Sequence, residues 1–268
     1  MSRLPIHVCT VQFATDVPQK AINMDNGLHW LDAAAQKADL VLLPETAFSG
    51  YWLGGKMVEF AEPIPGPITK IVSEIAVKRN STICFGMTEL DGDKMYNTAV
   101  LIGADGKILG KHRKVHLYEA DIESGFSAGD RLEVFDTHLG RIGILVCYDA
   151  FYIESICVLD LKGAEIVLIP SVGLSKPDDI ERTMRSWEIV LCANAKFGRC
   201  HIVWANKVGM DNDLVCIGNS MIISPEGDIV ARGGASEEIV QASILLQPKA
   251  PRSGRRPEVY GLICRECN

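Results

Sequence analysis

No window of the 268-residue sequence approaches 18 uninterrupted apolar residues, the length a membrane-crossing helix requires. A lipid-embedded protein is therefore not expected. No long block of one charge sign occurs either: 27 basic residues face 34 acidic ones, a net charge of −7. That balance gives no reason to expect nucleic acid or an anionic membrane as a partner. The opening stretch "MSRLPIHVCTVQF" lacks a basic region followed by a continuous apolar segment and a small-residue cleavage site, so the expected location is the cytoplasm. A disulfide framework is also missing. The nine cysteines are an odd number scattered through apparent strands and helices, in a chain large enough to fold on its own core, and reduced thiols are expected. Only "CREC", Cys264 to Cys267, has ligand-like spacing. Without a second pair, no metal site is expected, and no cofactor is called for. With no linker or low-complexity tract, residues 1–268 read as a single domain.

What the sequence does contain is an alternation of short apolar runs with amphipathic stretches. "IHVCTVQF" reads as a strand, residues 17–37 as a helix carrying Ala21, Leu28, Leu31 and Ala35 on one face, and "ADLVLLPET" as a second strand. A helix at "ITKIVSEIAVKR" precedes strands "TICFGMTEL" and "NTAVLIG", split by the turn residues "DGDK"; "ADGK" and "SPEGD" join other strand pairs. Beyond residue 147 the pattern predicts a helix to about Lys162, the strand "AEIVLIPS", a helix near 178–195 and the strand "HIVWAN". "ADLVLLPE" (38–45) and "AEIVLIPS" (164–171) agree in character at seven of eight positions, which suggests two related halves. Strands interleaved with helices and hairpins predict an α/β fold, an α-β-β-α sandwich of two mixed sheets, ahead of a single doubly wound sheet.

Within "RIGILVCYDAF" an apolar strand runs straight into Cys147. Strand ends of open α/β sheets face the ligand crevice, yet free cysteine is also among the most buried residue types, and this stretch alone leaves a nucleophile and a structural thiol both open. Glu45 ends its own strand after four apolar residues and a proline, and Lys114 stands in a basic cluster with Lys111, His112 and Arg113. Singly, a carboxylate at a strand end reads as solvent-facing and a basic cluster as a solvated face. Together the three match what thiol attack on an amide demands. Glu45 would carry the proton from sulfur to the leaving nitrogen, Lys114 and the Tyr148 N–H would stabilise the oxyanion, and Cys147 would hold a thioester until water cleaves it. A neighbouring cation would favour the Cys147 thiolate.

Assembled, these segments resemble the nitrilase superfamily of carbon–nitrogen hydrolases, with its Glu-Lys-Cys triad, over nearly the whole chain. "LPETAFSGYW" resembles the family's glutamate segment, "KHRKVHL" its lysine segment and "GRIGILVCYD" its nucleophile elbow; "WANKVG", "GNSMIISPEGDIVA" and "GRRPEVYG" resemble later blocks. The resemblance implies the same α-β-β-α sandwich, a small amide or carbamoyl substrate, and pairing into homodimers or larger assemblies. It also implies a second glutamate after the lysine segment. "YEADIESGFSAGD" offers Glu119 and Glu123, and Glu123 is the expected orienter of Lys114 or of the substrate. Tyr51, Tyr148 and the segment 171–177, beginning at Ser171, are expected to line the pocket. Departures occur where relatives carry Phe-Pro-Glu after "CYD" and this chain has "AFYIE", with Ile153 at the proline, and where Arg-Ala-x-Glu-Asn is replaced by "NAKFG". These bear on substrate identity. A Cys-His-Asp hydrolase using His112 or His116, a nitrile hydrolase and a catalytically silent binding module are the alternatives; nitrilases generally read Cys-Trp-Glu where this chain reads Cys-Tyr-Asp.

Overall fold

The computed structural model describes residues 4–15 and 19–264, with the backbone alone at 262 and 264. The first half runs β1 (Ile6–Gln12), α1 (Lys20–Ala35), β2 (Leu40–Leu42), α2 (Pro67–Arg79), β3 (Thr82–Asp91), β4 (Lys94–Ile102) and β5 (Ile108–Arg113). After the short α3 (Glu119–Glu123) come β6 (Val134–Asp136), β7 (Arg141–Ile144), α4 (Ile153–Leu161), β8 (Ile166–Pro170), β9 (Leu174–Ser175) and α5 (Ile180–Gly198). The chain then forms β10 (His201–Ala205), β11 (Val208–Asp211), β12 (Leu214–Ile217), β13 (Met221–Ile223), β14 (Ile229–Arg232) and β15 (Glu238–Ile244).

Two six-stranded sheets result, ordered β15-β1-β2-β3-β4-β5 and β14-β13-β10-β8-β7-β6. Read from β15 and from β6, they follow one plan: an antiparallel edge pair, two parallel pairings and two antiparallel ones. In that correspondence β2 matches β8, so the repeated "ADLVLLPE" and "AEIVLIPS" occupy equivalent places. Side chains alternate across a strand, and the buried ones separate accordingly. Val8, Leu40 and Leu42 join Ile144, Leu168 and Val203 in one core, whereas Cys9, Val11, Val41 and Leu43 pack with Leu31, Ala34, Val72 and Ala76 of α1 and α2. On the second sheet, α4 and α5 contribute Ile156, Leu159, Leu191 and Ala195. The four layers are those of the sandwich, and a single doubly wound sheet is excluded.

Some boundaries move. The predicted helix over 17–37 is α1, shorter at both ends, residues 17 and 18 lying outside the described residues. Strand β2 stops at Leu42 because Pro44 has no N–H to give and the chain leaves the sheet there. A 3-10 turn, Cys147–Phe151, intervenes before α4. A third sheet, β11-β12-β9, was not anticipated; it flanks the carboxyl end of β8. Cys267 and the Cys264 side chain lie outside the described residues.

Candidate active site

Glu45 and Cys147 stand just beyond the ends of β2 and β7, and Lys114 directly follows β5. Two of the turns are strained. Cys147 has φ +48° and Thr46, next to Glu45, has φ +44°, a region costing a non-glycine residue about 1–3 kcal/mol and concentrated at functional sites. Gly86 of β3 lets the Glu45 segment approach: a Cβ there would lie 2.6 Å from the Glu45 Cα and 2.7 Å from the Thr46 nitrogen.

The Glu45 carboxylate is fully buried and fully used. Oε1 accepts from Lys114 Nζ at 2.8 Å and from Asn97 Nδ2 at 2.7 Å, while Oε2 accepts from the Val172 N–H at 2.8 Å. Lys114, also without solvent exposure, has a second carboxylate partner, Asp121 Oδ2 at 2.7 Å, and donates a long bond to Tyr51 Oη at 3.4 Å. Asn97 Nδ2 reaches Asp121 Oδ1 at 2.9 Å, and Asp121 is fixed in turn by the Tyr118 N–H at 2.8 Å. Cys147 is 7% exposed and its Sγ lies 3.9 Å from the Val172 carbonyl. Residue 172 therefore touches both Glu45 and Cys147.

Charges follow this geometry. Burial raises the pKa of Glu45, with Lys114 opposing and Asp121 adding to the rise. Burial pulls Lys114 down, but Glu45, Tyr51, Cys147 and Asp121 together carry it well above the ordinary lysine value. For Cys147, burial and then Glu45 raise the pKa well above an ordinary thiol, more than Lys114 lowers it. The expected resting thiolate is thus corrected: Lys114 is already matched by two carboxylates and has little field left for sulfur. A thiol held neutral needs a base at the moment of attack.

The structure separates Glu123 from this cluster. Its Oε2 accepts from Trp52 Nε1 at 2.7 Å on the exposed side of α3, and the carboxylate on Lys114 belongs to Asp121. The expectation that Glu123 orients Lys114 is corrected on that contact. Ser171 is corrected as well: its side chain is fully buried, its N–H donates to the Ala205 carbonyl at 2.8 Å, and its Oγ has no partner among the described residues. It occupies the place in the second half that Glu45 holds in the first. Tyr51 and Tyr148 do line the pocket beside Cys147, a cavity of about 230 Å³ completed by Tyr118, Phe151, Val172, Gly173, Leu174, Thr183 and Trp187.

His112 and His116 are engaged elsewhere. Asp149 Oδ2 pairs with His112 Nε2 at 2.9 Å and with the Val146 N–H at 3.0 Å; its Oδ1 pairs with His116 Nδ1 at 2.8 Å and takes the Val115 and His116 N–H groups. Burial would raise the Asp149 pKa, but the bonds from His112 and His116 hold it well below the usual carboxylate range. Asp149 thereby locks the lysine segment against the nucleophile turn. His116 stacks on Tyr152 at 3.7 Å between centroids. Neither histidine ring has Cys147 as a partner among the described residues, which removes the support for a Cys-His-Asp arrangement. Lys207, in "WANKVG", is a buried cation behind the glutamate turn. It donates to the Thr46 carbonyl at 2.8 Å and to Thr15 Oγ1 at 3.2 Å, and burial lowers its pKa to about 8.

Comparison with known proteins agrees with this arrangement. Residues 8–248 match the family model described as carbon-nitrogen hydrolase. Omega-amidase NIT2-A of Xenopus laevis is 31% identical over 270 residues, covering 94% of this chain and 95% of that protein. An (R)-stereoselective amidase of Pseudomonas sp. is 30% identical over 228 residues, 85% of this chain and 80% of that one. Among solved structures, Saccharomyces cerevisiae Nit3, a member of branch 10 of the nitrilase superfamily, superposes with a TM-score of 0.81 at 26% identity, over 91% of each chain. The chain belongs to the carbon-nitrogen hydrolase family.

Proposed function

We propose that this protein hydrolyses a small non-peptide amide or carbamoyl compound to a carboxylic acid and ammonia or an amine, through a thioester on Cys147. The observation that carries this reading is the buried set of Glu45 and Lys114, 2.8 Å apart, behind a pocket whose wall includes Cys147 together with Tyr51 and Val172, which bond Lys114 and Glu45. Glu45 takes the proton of the Cys147 thiol as sulfur bonds to the carbonyl carbon. The oxyanion so formed is stabilised by Lys114 and the Tyr148 N–H. Glu45 then gives the proton to nitrogen as the C–N bond breaks, ammonia departs and a thioester remains. Water gives a proton to Glu45 and its oxygen to the carbon; the C–S bond breaks and sulfur recovers a proton from Glu45. Asp121 acts through Lys114, holding the ammonium against Glu45.

We also propose a cytoplasmic homodimer. Support for the location comes from seven described cysteines, all free thiols, and no helix of the described residues is long and apolar enough to cross a membrane. Support for pairing comes from family membership and from apolar side chains left exposed on α4 and α5.

The experiment is ammonia release from a panel of primary amides, carbamoyl compounds and nitriles, with mass spectrometry of Cys147 during turnover. An acyl mass on Cys147 accompanied by ammonia from amides is expected. Turnover of nitriles alone, or no acylation by any amide, would overturn the reading.

A further inference from the structure

We propose that the pocket at Cys147 admits the acyl group of an uncharged, hydrophobic amide and rejects amides whose acyl chain carries a carboxylate. This rests on the hydrolase reading above and names the class of acyl group. The wall is a chain of aromatic rings: Tyr118 meets Tyr148 at 5.4 Å, Tyr148 meets Phe151 at 5.7 Å, and Phe151 meets Trp187 edge-on at 4.8 Å. Trp187 is itself stacked on the fully buried Trp204 at 5.0 Å. Rings locked this way keep an apolar surface in place. Val172 and Leu174 add to that surface, and the hydroxyl of Thr183, also in the lining, is engaged with Ser175 Oγ at 3.0 Å.

Charge complements the same class. Among the described residues no lysine, arginine or histidine lines the pocket. The cation beside it, Lys114, already faces carboxylates at 2.7 and 2.8 Å. Tyr118 of the wall caps α3, whose exposed carboxylates Glu119 and Glu123 add negative charge to that side of the protein. A carboxylate on the acyl chain would lose its water, find no free cation and meet like charge. A methylene chain would lose only unfavourable hydration.

The test compares acetamide, butyramide and hexanamide with succinamate and glutaramate. From acetamide to hexanamide kcat/KM should rise about fourfold per methylene, the transfer preference of a buried CH₂. Hexanamide should exceed glutaramate by at least about 100-fold, as the cost of an unpaired buried charge requires. Succinamate or glutaramate turned over within tenfold of hexanamide would overturn the inference and leave the hydrolase reading intact. If no amide releases ammonia, the hydrolase reading fails, and the pocket is then read without turnover by protection of Cys147 from iodoacetamide. Half-protection by hexanamide at a concentration about 100-fold below that of glutaramate supports the proposal; equal protection, or none from hexanamide, overturns it.

Discussion

Glu45 and Lys114 touch, so single substitutions at them have unequal consequences. Removing the Lys114 ammonium leaves two buried carboxylates on one site, and losing one partner of a buried pair costs about 3–5 kcal/mol; such a variant reports on folding as much as on catalysis. Glu45→Gln is milder, since Lys114 retains Asp121 at 2.7 Å. It should slow acylation by amides by about 10² to 10⁴, the range for a lost proton carrier. An activated ester, whose leaving group needs no proton, should restore acylation, and the acyl-enzyme should then accumulate because hydrolysis still lacks its base. Intact-mass analysis checks this; amide turnover at the parental rate would show that Glu45 carries no proton. Asp121→Asn tests the cation more gently. It should lower kcat/KM by about 10- to 100-fold, by analogy with outer partners that orient a catalytic group, and equally for amide and ester because the oxyanion forms in both. Glu123→Gln should stay near the parental rate. The reverse ranking would return the orienting role to Glu123. Why Asp121 escaped the sequence reading is helical geometry: α3 is a single turn, and residues two positions either side point about 200° away. Asp121 is buried while Glu119 and Glu123 are exposed, yet all three look alike in a motif that calls for a glutamate.

Elements place these groups by ending where they do. The repeat in the sequence anticipated that β2 and β8 are equivalent, and Glu45 and Cys147 at strand ends were legible because apolar runs stop at them. The third sheet was not, since β9, β11 and β12 are two to four residues long and pair only through contacts made by the folded chain. The tie between halves was equally hidden. Lys207, just after β10, holds the strained Thr46 carbonyl just after β2, and nothing in "WANKVG" separates that lysine from a surface one. Its pKa supplies a test. At about 8 it lies below the ordinary lysine value of 10.5, so between those limits the unfolded chain binds more protons than the folded one and stability rises with pH. Below about pH 8 the burial penalty is present in full; above about 10.5 it has vanished. Measured by urea unfolding, the stability of the parent relative to Lys207→Met should therefore increase from about pH 7.5 to about pH 10, by on the order of 3 kcal/mol. A difference independent of pH would mean that burial leaves the Lys207 pKa at its unfolded value.

At the scale of the whole molecule, α4 and α5 leave apolar side chains exposed on their outer faces. Ile153, Cys157 and Leu161 recur four residues apart along α4, and each is exposed, Ile153 at 47% and Leu161 at 54%. The neighbouring α5 exposes Ile189 at 59% and Phe197 at 55%. A helix normally turns such a stripe inward, and contiguous exposed apolar surface marks an interaction site. The chain strengthens the edge of this face. Asp160, buried on α4, gathers Arg199, Lys249 and Arg252, with Arg199 Nη2 at 2.9 Å and Arg252 Nε at 2.8 Å, and Arg252 also binds the Phe197 carbonyl. Residues 249–252 are thereby strapped beside α5, and among the described residues the helical stripe stays exposed. A second copy would cover stripe with stripe about a two-fold axis, as isologous pairing requires. The parent should scatter light as a dimer at micromolar concentration. Leu161→Glu combined with Phe197→Glu should give a monomer, because each copy would bring two desolvated charges to the shared face. Since both positions are exposed in the single chain, the thermal transition of that monomer should lose only the part that depended on protein concentration. A double variant that remains dimeric would place the interface elsewhere.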